Sequence, residues 1–523
     1  MGKDIFEAYI RNLNLPDLSL AATHGRLHSL ETAEKQEPEA ESSGKNQQGE
    51  ALAVLRDISR KLDSVHERTA DSRMDADLAI VNGKVILPDC GMFPADVYVR
   101  DGKVSGIGRQ ENMRVKRTID ASGKYVCPGI IDPHVHLGLF ASMEEDMLSE
   151  TKAAIMGGIT TMGVFFGGEQ SHFATFPEIE TLAKRVSYTD IIPHLVIAGI
   201  EQRKEIRDYV KHLGVTSFKV YMNGIPGMIP SVDDGFIMDV FDEMRQSGKS
   251  CVLCCHTENS YLVERALRKT REECGDTGTI EDWAKTHPAM AEEEAVMRIA
   301  YLAEQAKMPL YMVHIGTKEG IERIRQLKPF NPYIHAETTS PYLTVAGNQR
   351  KNNLYKMEPP LRGTEDQEAL FRALQDGVID TIGTDNVCET SKEKKAGRLI
   401  WDVVPGYSVV ETHLASVITE GVIGRGISLE KVITHMTKRP AEIFGVYPKK
   451  GTLLPGSDAD IVILDMNLER EVHGESMATR SDFSIYEGRR LRGWPQAVIK
   501  GGCVVMENGM LSDEIPAGHM LKR

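Results

Sequence analysis

The chain has 523 residues, 41% hydrophobic and 26% charged, long for one ordinary domain and apolar enough to bury a large core. Its formal charge is −14, from 62 Lys and Arg against 76 Asp and Glu, so nucleic acid is a poor partner. No apolar run approaches the ~18 residues of a membrane span, the opening MGKDIFEAYIRNLN has no apolar export core, and 8 cysteines do not make a disulfide framework here; a reduced, cytoplasmic setting is expected.

Residues 1–75 read as an extension. Phe6, Ile10 and Leu13 recur at helical spacing. Glu31 to Glu50 is polar and nearly free of apolar residues, so it reads as a flexible linker. Leu55, Ile58, Leu62 and Val65 form an apolar stripe suited to packing on the body of the same or a sister subunit. From Ala76 the pattern alternates. DLAIVNGKVIL carries Asn82-Gly83 and predicts a hairpin there, and DVYVRDGKVSGIG predicts another at Asp101-Gly102. Near the other end, DADIVILD and AVIKGGCVVMENGML, turning at Gly501-Gly502, look alike. The two ends are therefore expected to meet in one small β-domain, from 76–127 and 447–510, with a tail over 511–523.

The middle, 128–446, alternates short apolar runs with helical stretches. Eight runs qualify as strands: GIIDPHVHL, ITTMGVFF, DIIPHLVIAG, SFKVYM, SCVLCCHTEN, PLYMVHIG, NPYIHAETTS and DTIGTDN. That is the pattern of an α/β protein with a (β/α)₈ TIM-like barrel, whose chemistry sits at the C-terminal strand ends. The unusual polar residues fall there. His134 and His136 are two apart and share a face, so both imidazoles can reach one metal. His256, His314 and Asp385 close strands five, six and eight, and Lys219 sits inside an apolar run. Burying an ammonium beside cations is costly. An uncharged amine could instead react with carbon dioxide to give an anionic carbamate able to bridge two metals. Taken singly, each has a plainer reading: a packed histidine, a snorkelling lysine, a capping aspartate. The set at five strand ends outweighs those readings. His194, His335, His413 and His435 are read as packed, and the thiols of CVLCCH as small apolar strand residues.

The segments CPGIIDPHVHL, SFKVYM, HTEN, VHIG and GTDN together resemble the amidohydrolase superfamily, and within it the dihydropyrimidinase and hydantoinase branch, over about Ala76 to Gly509. The resemblance implies a TIM-like barrel with a composite β-sandwich domain from both chain ends, and a metal-dependent cyclic amidohydrolase with two divalent ions, zinc first and manganese, cobalt or iron as alternatives. His134, His136 and Asp385 would hold the more buried ion, His256 and His314 the second, and Lys219, as N6-carboxylysine, would bridge them. A metal-bridging hydroxide would open the ring of a cyclic amide, imide or ureide, with Asp385 passing the proton to the leaving nitrogen. A homo-oligomer, tetramer or dimer, is implied as well.

The substrate shell departs from the resemblance. A Tyr five residues after the bridging lysine is replaced by Gly224, for which Tyr221 or Asn223 are candidate substitutes. Glu358 stands where a Ser precedes Pro-Pro, favouring a substrate with extra N–H donors or positive charge, unless it turns to Arg362. Asn386 replaces a His and is a candidate substrate contact; Gly138, where dihydroorotases carry Arg, disfavours that activity. Phe140, Phe166 and Phe173 are candidate pocket walls. The alternatives are an allantoinase-like ureide hydrolase and a non-catalytic scaffold; the kept ligand set argues against the scaffold.

Overall fold

The computed structural model describes residues 76–523 apart from 110–112, 169, 226–228, 350–351, 396–397 and 514. The expected helices and linker of residues 1–75 lie outside the described residues. Two sheets organise the rest.

The first is a nine-stranded mixed sheet built from both ends of the sequence. Its N-terminal strands are β1 (Ala76–Leu87), β2 (Gly91–Arg100), β3 (Lys103–Ile107), β4 (Val115–Asp120) and β5 (Tyr125–Pro128). The far end of the sequence closes the chain's path with four more. The second sheet follows β5 directly. It is parallel, nine-stranded, and runs through β6 (Ile130–His136), β7 (Ile159–Phe166), β8 (Asp190–Val196), β9 (Ser217–Tyr221), β10 (Val252–His256), β11 (Leu310–Met312), β12 (Ile334–Thr339), β13 (Thr381–Gly383) and β14 (Asn386–Val387). After it come β15 (Ile461–Glu471), β16 (Arg490–Lys500), β17 (Cys503–Glu507) and β18 (Met510–Leu511), which return to the first sheet. The join is β5 against β15, antiparallel, with Val126 opposite Ile463 and Pro128 opposite Ile461.

Two turns form where the sequence places them, at Asp101-Gly102 and Gly501-Gly502. The hairpin expected at Asn82-Gly83 does not. β1 runs straight through it with a register shift between Ile80 and Gly83, and the turn comes after Leu87. The reason is tertiary. A Cβ at Gly83 would lie 2.6 Å from Val126 Cγ2, so the glycine is there for close approach of β5. Asn82, in the left-handed region, donates its amide to Asp120 and its backbone N–H to Asp96.

All eight expected parallel strands are present, the eighth split into β13 and β14 around Thr384 and Asp385. β13 pairs with β12 while β14 pairs with β6, so one segment, 381–387, hydrogen-bonds both flanks of the sheet. Helices between the strands cover the sheet's outer face. Among them are α1 (Met143–Met156), α2 (His172–Val186), α3 (Asp234–Gln246), α4 (Ser260–Cys274) and α5 (Ala289–Ala306). α1 begins in a Ser142/Glu145 capping box, and α3 is capped by Asp233. The strands are buried along their length, as a sheet covered on both faces requires. Cys251, Cys254 and Cys255 are buried among these apolar residues.

The tail returns to the N-terminal edge of the parallel sheet. Leu521 donates to the Ile191 carbonyl and Met520 bridges Ile191. Beside it Lys450 is paired with Asp190, Asp458 and Asp460, and Lys500 with Asp190.

Candidate metal centre and substrate pocket

Side chains alternate along β6, so His134 and His136 project together from its C-terminal end. The 381–387 segment lies against them. Its Asp385 N–H donates to the His134 carbonyl at 2.9 Å, and Thr384 is tied to Asp132 by its N–H and hydroxyl. This aims the Asp385 carboxylate at both imidazoles. One of its oxygens lies 3.1 Å from His134 Nε2 and 3.3 Å from His136 Nε2, and the two ring nitrogens are 3.2 Å apart. Ligand atoms about 2.0–2.1 Å from a tetrahedral zinc stand about 3.3 Å from one another. The triangle therefore has the right size for one ion.

His314 stacks on His134 with centroids 5.5 Å apart, and His256 meets His314 edge-on at 4.6 Å. Lys219, fully buried, reaches the same space from β9. Its Nζ lies 4.7 Å from the Phe165 ring centre and 4.9 Å from that of Tyr221, and finds no hydrogen-bond partner among the described residues. Burial pulls its pKa below the ordinary lysine value, against the Cys254, Asp385 and Glu337 charges. An orphaned amine with a lowered pKa, beside four imidazoles, fits a group completed by something further, such as a carbamate. Asp385 is held far below the usual carboxylate range: burial opposes this, but His134, His136 and His314 outweigh it. Both His314 and Asp385 have left-handed backbones (φ 41° and 56°), a strain of about 1–3 kcal/mol each that clusters at functional sites.

Two carboxylates orient the ring ligands. Glu337 on β12 accepts from His134 Nδ1 at 2.7 Å, from the Tyr311 hydroxyl at 2.6 Å and from the His314 N–H at 3.0 Å. Glu258 bonds His256 Nε2 at 2.9 Å and His287 Nδ1 at 3.0 Å. Each leaves the opposite nitrogen of its partner ring as the lone-pair donor. Neither role was read from sequence. The signal was there for Glu337: like Lys219, it is a charged residue in a strand otherwise buried.

A cavity of about 70 Å³ adjoins the cluster, lined by His136, Tyr221, Glu358 and Asp385 and by apolar side chains of Leu139, Phe140, Ile225, Ile229, Met357, Val387 and Pro405. A larger one, about 860 Å³, opens at the opposite edge of the sheet around Val252, Pro309, His335 and Arg523 and shares no residue with the cluster. Glu358 faces the small cavity. Arg362 is not its partner: that guanidinium donates to the His287 carbonyl and lies 3.8 Å from Glu258. Burial raises the Glu358 pKa, against His287 and His256.

Three expectations need correction. Asn386 is buried with both ends of its amide taken, by Glu150 and by the Val409 and Val410 N–H groups, so it is a strut rather than a substrate contact. Phe166 points away from the cluster into the core against Phe176; strand alternation instead brings Phe165 onto His134 and His136. Phe173 packs on Tyr209, outside the cavity. Asn223 sits beside Glu258 at 3.4 Å. His194, His413 and His435 are buried and bonded at Nδ1 to Ser217, Ser340 and the Asp380 carbonyl.

The sequence model of the amidohydrolase family matches residues 125–505. A D-hydantoinase from Rhizobium radiobacter is 33% identical over 465 residues, covering 86% of this chain and 99% of that protein. An L-hydantoinase from Paenarthrobacter aurescens is 30% identical, covering 86% and 98%. A solved D-hydantoinase structure superposes with a TM-score of 0.79 at 30% identity, covering 86% and 99%.

Proposed function

The chain belongs to the amidohydrolase family, and from that premise we infer that it is a metal-dependent hydrolase opening a ring amide C–N bond, of the hydantoinase and dihydropyrimidinase type. The observation that carries the reading is the triangle of His134, His136 and Asp385 beside the orphaned amine of Lys219.

We assign one divalent ion to His134, His136 and Asp385, a second to His256 and His314, and the bridge to Lys219. The neutral amine would add to carbon dioxide, forming an N–C bond and releasing one proton, to give the carbamate. Zinc is the first candidate. Bound there, two such ions would supply a nucleophilic oxygen at neutral pH and polarise the ring carbonyl. The protein's own groups do the rest. Glu337 and Glu258 fix the tautomers of His134 and His256. Asp385 accepts the nucleophile's proton and carries it to the leaving ring nitrogen. Glu358 offers an acceptor to a ring N–H or to a positive substituent, in a cavity whose other walls exclude water. Among the described lining residues no Lys or Arg faces the cavity, which disfavours anionic substrates. A scaffold role would not need these pairings, and the allantoinase-like alternative has no observation in its favour.

We also read the parallel sheet as a closed (β/α)₈ barrel over 128–446, supported by the pairing of 381–387 with both β12 and β6, and the mixed sheet as a β-sandwich from 76–127 and 447–510. No helix among the described residues is long and apolar enough to cross a membrane. A cytoplasmic homo-oligomer, tetramer or dimer, is the setting we propose.

The test is a hydrolysis screen of dihydropyrimidines, 5-substituted hydantoins, allantoin, cyclic imides and lactams. Protein prepared with divalent metal and bicarbonate should add one water to at least one ring and hold about two ions per chain. Neither turnover nor metal would remove the enzyme reading.

A further inference from the structure

Two chain segments line the small cavity together. One leaves β6 and carries His136, Leu139 and Phe140; the other runs from β13 through β14 and carries Asp385 and Val387. Pairing of β14 with β6 holds them to each other as far as Val387 and His136. Beyond that point the ladder stops, and the spacing of the two segments must be set by side chains.

Those side chains come from the mixed sheet. The connection between β15 and β16 brings Thr479 and Arg480 up behind the cavity, which Arg480 itself does not line. The Arg480 guanidinium spreads over three acceptors: Nε donates to Asp146 at 2.7 Å, Nη1 to Glu393 at 2.7 Å and Nη2 to the Cys388 carbonyl at 2.8 Å. Asp146, buried on α1, accepts the Gly138 N–H on its other oxygen at 2.8 Å. Gly138 precedes Leu139, and Cys388 follows Val387. One planar group therefore ties the residue beside one cavity wall to the residue beside the other. The Glu393 oxygen that meets Arg480 also accepts the Thr390 N–H at 2.8 Å, which closes the turn after Cys388. The neighbouring contacts fix the clasp in place. The Arg480 N–H donates to the Ser149 hydroxyl, and the Thr479 hydroxyl to Glu150, whose other oxygen accepts from Asn386 and Ser408.

Charge alone does not account for this arrangement. Pairing with Asp146 asks only for a cation, which a lysine would supply as a point charge. Three acceptors in three directions, one of them an uncharged carbonyl, use the rigid fork of an arginine.

Resting on the ring-amide hydrolase reading, we propose that Arg480 is a positioning residue for ring opening, one that sets the gap between the Leu139–Phe140 and Val387 walls and so the seat of the substrate ring. The mixed sheet thereby takes part in catalysis without touching the substrate.

The experiment compares full-length wild type with Arg480→Lys and with the double variant Arg480→Met/Asp146→Asn. All are prepared with divalent metal and bicarbonate and assayed on the ring that wild type opens best. Lysine keeps the charge beside Asp146 and Glu393 but cannot span the three acceptors. The double variant removes both charges together and leaves an amide oxygen for the Gly138 N–H, so Asp146 is not stranded as an unpaired buried charge. In both, amide exchange over 137–142 and 386–392 should quicken about tenfold or more, with that of β15 and β16 unchanged. kcat/KM should fall about 10–100-fold, as it does for a misplaced substrate. KM should rise about fivefold or more, and KM does not depend on how much of the protein is folded or loaded. A KM within about twofold of wild type in both variants overturns the proposal, whatever happens to kcat or the melting temperature. Unchanged exchange in either segment overturns it as well. A lysine variant that matches wild type in KM and exchange also overturns it, because charge alone would then suffice. No turnover by wild type on any ring fails the parent reading instead, and the Arg480 role falls with it.

Discussion

The two edges of the parallel sheet are built on opposite principles. At the N-terminal edge the buried lysines are paired: Lys450 is shared by three aspartates and Lys500 joins Asp190, while Arg523 donates to the Pro193 and Phe444 carbonyls. At the C-terminal edge several groups are left open. Lys219 and Tyr221 lack hydrogen-bond partners among the described residues, and His314 and Asp385 hold left-handed backbones. The same strands thus carry paired charges at one end and open groups at the other, which in the function we propose are completed by ions and substrate. Substitution of the open groups at one edge should therefore move activity with little change in stability, and of the paired charges at the other the reverse.

The strongest break should come from Asp385→Asn, which keeps the size and removes the base. We expect a kcat loss of about 10²–10⁴-fold with some loss of metal, read by steady-state kinetics and elemental analysis. Lys219→Ala should lose metal and activity together; millimolar short-chain carboxylates should restore part of both, and failure of any carboxylate to do so would speak against a carbamate bridge. Glu337→Gln should weaken metal affinity about 10–100-fold, measured by competition with a chelator, because the acceptor that orients His134 loses its negative charge and with it the added basicity it gives the ring.

Smaller effects sharpen the contrast. Gly224→Ala forces a side chain into a left-handed position and against the Ser231 nitrogen, so the melting temperature should fall by a few degrees for about 1–2 kcal/mol. At the opposite edge, Asp190 is drawn from 3.8 to about 2: burial works against this, but Lys450 and Lys500 prevail. Its folded pKa is lowered, so the stability it brings is present above about pH 4 and lost as pH falls toward 2. Asp190→Asn should flatten that acid limb of the unfolding curve without touching kcat at neutral pH. An altered kcat would mean the edges are coupled.

Much of the C-terminal edge was legible in the sequence because strands are periodic. A His-x-His at one strand end and single ligand types at others need no knowledge of side-chain packing. The second layer was less legible. Glu258 lies inside HTEN and Glu337 inside IHAETT, yet what each does depends on a ring arriving from another strand. Asn82-Gly83 misled for the same reason: its local signal is a turn, but Val126, from β5, decides its use. Gly224 read only as a missing tyrosine; the loop folding back on it explains why nothing larger fits. Phe166 and Phe173 failed as pocket walls because their aromatic character says nothing about which face they occupy.

The segment 381–387 carries a consequence for assembly. It is sewn to β12 on one side and β6 on the other, and Thr384 reaches the His134 carbonyl across 250 residues of sequence. His134 and Asp385 come within reach of each other only when 381–387 is paired with β6. A chain in which 381–387 has not paired with β6 therefore lacks the triangle of His134, His136 and Asp385.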